Sequence, residues 1–105
     1  FVEDGRLCGI IDWGDAMAVD RHCELAKLHL DTFACDKALL RAFLDASDWP
    51  VGRDFPRRAL AFALHRQAIG LAQHRTNDTF HKLPSVLPLA EIATLDELAD
   101  ALFAV

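Results

Sequence analysis

Asp4-Gly5-Arg6-Leu7-Cys8-Gly9-Ile10-Ile11-Asp12-Trp13-Gly14-Asp15-Ala16 is a turn, an apolar run and a pair of carboxylates in direct succession. Asp4-Gly5 signals a two-residue hairpin turn, because both residue types tolerate positive φ. Phe1-Val2 and the run Leu7 to Ile11 are the strands this turn would join. The second run is nearly all apolar, which predicts a strand covered on both faces. It ends in Asp12, so a carboxylate projects from a rigid platform. Gly14 permits a sharp turn, and Asp15 then supplies a second carboxylate.

Everything downstream reads as helix. Asp20 is a good N-cap for a first helix over about residues 21–34. Asp20, Glu24, Lys27 and Asp31 make one narrow polar stripe on it, and the rest is apolar, so this helix is expected to be mostly buried. Asp36 caps a second helix over 37–46, with Leu39, Leu40, Phe43 and Leu44 inward, and Trp49-Pro50-Val51-Gly52 breaks it. Asp54 and Pro56 open a long third helix to about residue 75. Residues 83–93 are loop or short helix between Pro84 and Pro88. Thr94-Leu95-Asp96-Glu97 is a capping box opening a last helix, with Leu95, Leu98, Leu102 and Phe103 on one face.

The expected fold class is therefore mainly α with a short N-terminal β-hairpin, an α+β chain of 105 residues. Ala and Leu supply 33 residues against nine Val and Ile, a bias toward helix over sheet. The formal charge of −5 argues against a nucleic-acid binder, which needs a basic face. No apolar run approaches the roughly 20 residues of a membrane span. The three cysteines are odd in number and unpatterned, which predicts free thiols in a reducing, cytoplasmic setting.

Hard divalent cations such as Mg²⁺ favour one or two carboxylates together with phosphate oxygens and water. Asp12, on its strand end, is a candidate ligand on that chemistry, and Asp15 a candidate for metal or substrate. Both would otherwise hydrogen-bond the turn. His22, Cys23, His29 and Cys35 do not reproduce zinc spacing, since three of them do not share one helical face. They are expected to be buried thiols with surface or cavity histidines. Trp13, Trp49 and Phe80 are expected to fill core rather than stack on a ligand.

Residues 4–26 resemble the aminoglycoside phosphotransferase family of the protein-kinase-like superfamily. That family shows a hairpin with a "DG" turn, an "IDWGDA"-type metal segment and a "GDPxxDLA" helix start. The first two match closely. The third departs, with Val19 for the usual Gly, Arg21 for Pro and Glu24 for Asp, while Asp20, Leu25 and Ala26 match. The resemblance implies that residues 1–105 are a partial C-terminal lobe, with the hairpin and metal-binding segment over 1–19 and the helical subdomain over 20–105. It implies that Asp12 holds Mg²⁺ bridging ATP phosphates, with ATP as co-substrate, and that Asp20 supports the catalytic loop. That loop, "HGDxxxxN", is expected upstream of Phe1 together with the N-terminal lobe. Nucleotide and a small hydroxylated substrate would bind through that part, so the 105 residues alone are expected to be inactive. An acidic substrate cleft for a cationic aminoglycoside-like molecule would draw on Asp31 and Asp36.

Two other functions fit the same residues. The greasy helix faces suit a non-catalytic helical domain that self-associates into a homo-oligomer or binds a partner. The Asp12/Asp15 pair also suits an unrelated metal-dependent enzyme.

Overall fold

The structure is a computed structural model and describes residues 1–11, 14, 18–74 and 79–105. Strands β1 (Val2–Glu3) and β2 (Arg6–Leu7) form an antiparallel hairpin with Val2 opposite Leu7 and Glu3 opposite Arg6. Asp4 at φ 51° and Gly5 at φ 73° turn it, so the turn residues adopt the positive φ that the sequence predicts. Leu7, Ile10 and Ile11 are 69%, 62% and 65% exposed. The expectation of a doubly covered strand is therefore not met. Two short strands have no face of their own to bury.

Among the described residues five α-helices follow: α1 (His22–Lys27), α2 (Lys37–Ala46), α3 (Phe55–Ala72), α4 (Leu83–Val86) and α5 (Leu95–Phe103). A π-helical turn, Leu28–Thr32, prolongs α1, closed by the Phe33 amide on the Leu28 carbonyl at 2.8 Å. The chain is mainly helical with one short hairpin, an α+β fold.

Capping follows the sequence closely. The Asp36 carboxylate accepts from the amides of Ala38 and Leu39. Thr94 accepts from the Glu97 amide, and Glu97 reaches back to the Ala93 amide. At α1 the N-cap position is Arg21, whose side chain makes no capping bond. The cap comes from one residue earlier, where Asp20 Oδ1 accepts the His22 amide at 2.9 Å. Asp54 makes no side-chain cap on α3, and Pro56 sits in its first turn.

Helix α3 is the spine: α1 packs on one side of it and α5 on another. The core gathers Leu25, Ala26 and Leu30 from the first helix, Leu40 and Leu44 from α2, Ala59, Leu60 and Ala63 from α3, and Ala99, Leu102 and Phe103 from α5. Leu39 and Leu95 were expected inward but are exposed, at 49% and 64%. On α2 the adjacent Leu40 is the residue turned into the core, and on α5 the buried positions are Ala99, Leu102 and Phe103. Trp49 and Phe80 pack against the core, as the sequence predicts.

Candidate functional site

Asp20 stands where the chain leaves the two-carboxylate segment and enters α1. The His22 amide at 2.9 Å and His22 Nδ1 at 2.7 Å both meet its Oδ1. Arg58 Nη2, from the second turn of α3, donates to its Oδ2 at 3.2 Å. The hydrogen bonds from the His22 amide and ring pull the Asp20 carboxyl down from 3.8 to about 2 against the opposing effect of burial, with a lesser contribution from Arg58. It is therefore ionised throughout the physiological range.

His22 is only 8% exposed. Its ring meets Trp49 edge-on at 5.3 Å, stacks on Phe62 at 5.8 Å and tilts against Phe55 at 5.9 Å. The Arg21 guanidinium lies over Trp49, 4.6 Å from the ring centroid. A cleft of about 410 Å³ opens beside this cluster, lined among others by Asp20, Arg21, His22, Asp54 and Arg58. A carboxylate has about four acceptor positions. Three donors occupy Asp20, its side chain is 29% exposed, and it borders the cleft.

Asp31 and Asp36 already have partners inside the chain. Asp31 Oδ1 pairs with Lys82 Nζ at 2.8 Å, and the same lysine donates to the Asp31 carbonyl at 2.6 Å. That bond, ahead of the opposing effect of burial, lowers the Asp31 carboxyl below its ordinary value. Lys82 thus ties the π-helical turn to the residue just before α4. Asp36 is the cap of α2. Asp12, Trp13 and Asp15 lie outside the described residues. Among the described residues no group of three or more His, Cys, Asp or Glu side chains is arranged to hold a metal ion. Cys8, Cys23 and Cys35 are free, and burial raises the thiols of Cys23 and Cys35. No helix there is long and apolar enough to cross a membrane.

The sequence offers His22 as a surface or cavity histidine rather than as a zinc ligand, and not as a partner of Asp20. The signal for that bond is an Asp-x-His at a helix start. Arg58 carries no such signal, because it is 38 positions away and only the packing of α3 on α1 brings it in.

The sequence pattern of the phosphotransferase enzyme family matches residues 1–61, more than half of the chain, and the chain belongs to that family. No solved structure matches it.

Proposed function

We propose that this chain is the C-terminal portion of a cytoplasmic, ATP- and Mg²⁺-dependent phosphotransferase that phosphorylates a hydroxyl of an aminoglycoside-like or related small molecule. The observation that carries it is the family match over residues 1–61, which takes in Asp12, Asp15 and Asp20 together. The donor chemistry agrees, since two carboxylates around a glycine suit a hard cation that keeps phosphate and water among its ligands. Asp12 would hold the Mg²⁺, with Asp15 as a second carboxylate or a substrate contact. The ion supplies charge neutralisation at the phosphates of the nucleotide. Asp20 stays ionised beside the cleft, with acceptor capacity left for a backbone amide of a catalytic loop. Asp31 and Asp36, each with an intramolecular partner, would add to the acidity of a substrate cleft only through their long-range field.

The test is ATP turnover, with aminoglycosides and other hydroxylated metabolites as acceptors, by the protein expressed from its natural start codon. Turnover by that protein, its loss in Asp12→Ala and its absence from residues 1–105 alone are the expected results. Turnover that survives Asp12→Ala overturns the ligand assignment, and a wild-type protein inert to every acceptor overturns the function.

The exposed run Leu7, Ile10 and Ile11 favours a second function, self-association or partner binding without catalysis. Light scattering distinguishes it: a strictly monomeric chain counts against it.

A further inference from the structure

His22 has one polar duty, the Asp20 carboxylate, met by its amide and its ring together. The ring has little freedom to swing away, because Trp49, Phe55 and Phe62 surround it. Arg58 takes the other oxygen from the opposite side, so the two carboxylate oxygens are held by residues of different helices. A carboxylate bonded on both oxygens, with one donor fixed by packing, has one orientation rather than two. Asp20 lies five positions after Asp15 and directly before the first helical turn. The family pattern leaves position 22 open, so this grip is a feature of the present sequence.

We propose that His22 and Arg58 are positioning residues of the phosphotransferase site: they hold the Asp20 carboxylate in one orientation at the start of α1, where it borders the cleft. The role rests on the function proposed above. His22 has the larger share, because its bonds are shorter and its ring is buried. The Arg58 side chain is 52% exposed, and ion pairs in contact with solvent contribute little. Neither residue touches the reacting atoms; both act through Asp20.

Three variants test it. His22→Leu fills much of the ring's space and cannot donate. His22→Asn returns a donor close to the place of Nδ1. Arg58→Met keeps the length of the side chain and removes its charge. The first measurement follows the Asp20 carboxyl carbon by NMR between pH 5 and pH 3 in the 105-residue chain. Wild type and His22→Asn are expected to stay nearly flat. His22→Leu keeps the backbone amide bond and loses only the ring's, so it is expected to titrate part of the way toward the ordinary aspartate midpoint of about 3.9, and Arg58→Met to move by less. The second measurement is kcat of the protein expressed from its natural start, where partners standing behind a site residue typically matter about 10-fold or more. A fall of about 10-fold in His22→Leu, with the KM for ATP little changed and with recovery in His22→Asn, supports the role. An unchanged Asp20 titration in His22→Leu overturns the grip. A shifted titration with unchanged kcat overturns its positioning role. A wild-type protein without turnover overturns the parent function instead, and is recognised because the Asp20 titrations still separate the variants. Should His22→Leu not fold, Arg58→Met and His22→Asn carry the same comparison, and equal Asp20 titrations in wild type and Arg58→Met overturn the share of Arg58.

Discussion

His29 offers the sharpest perturbation in this chain. It is fully buried, and its Nε2 lies 2.7 Å from the carbonyl of Leu102, 73 positions away on α5. Its ring tilts against Phe103 at 5.3 Å. A carbonyl only accepts, so Nε2 carries the proton and donates. The neutral ring then leaves Nδ1 bare, and Nδ1 has no hydrogen-bond partner among the described residues. Acid would add a proton there and create a buried charge with nothing to accept it. Burial accordingly holds the His29 pKa below 6.5, opposed by the Leu102 bond, with Lys37 lowering it and Asp36 raising it by smaller amounts. The sign follows directly. As pH falls, the unfolded chain takes up this proton before the folded one, so the stabilisation is complete above about pH 6.5 and is lost as pH drops toward the folded value. One proton contributes at most about 1.4 kcal/mol per pH unit. With an unfolded midpoint near 6.5, the loss between pH 7.5 and pH 5.5 is at most about 1.4 kcal/mol.

Urea unfolding followed by circular dichroism at those two pH values measures it. His29→Gln is the control, since its amide nitrogen can still donate to Leu102 but does not titrate. Wild type should lose more stability than His29→Gln on acidification, within the ceiling of about 1.4 kcal/mol. His29→Leu should lose about 1–3 kcal/mol at both pH values, because it strands a buried carbonyl. Equal pH dependence in wild type and His29→Gln would refute the reasoning.

Two further outcomes follow from the helix starts. Arg21 has φ −58°, inside the range a proline ring imposes, and the α1 cap begins at the His22 amide. Arg21→Pro, which restores the family residue, should therefore fold and shift stability by no more than about 0.5 kcal/mol, as the loss of the Trp49 contact offsets the stiffer unfolded chain; thermal melting checks it. Asp36→Ala and Thr94→Ala each remove side-chain bonds to helix-start amides and should each cost about 1 kcal/mol. Additivity in the double variant, read from urea midpoints, is expected because the two caps share no bonding partner.

Residues whose partners lie within four positions were the legible ones. Asp4-Gly5 takes the positive φ of its turn, and Asp36 and Thr94 with Glu97 act on amides a few residues away, so identity and spacing carry each of them. Periodicity found α2, α3 and α5, and the 4–26 motif led to the family. Asp20 was legible as a helix-start residue, but its donors were only half so. His22 is two positions on, whereas Arg58 arrives through the docking of α3. The inward positions of α2 and α5 were read too broadly, since a hydrophobic stripe says which residues can be buried and not where along the helix a neighbour lies.

By itself, then, the sequence determined the local events: the hairpin turn, the helix starts and the α+β class. Each depends on hydrogen bonds that close within a turn or on torsions a residue type permits. Only the tertiary structure decided that Leu7, Ile10 and Ile11 stay uncovered, that Lys82 neutralises Asp31, that His29 bonds Leu102, and that His22 and Arg58 meet on Asp20. Those contacts depend on how α1 and α5 pack on α3, where burial of apolar surface selects the arrangement and polar groups far apart in sequence must find partners within it.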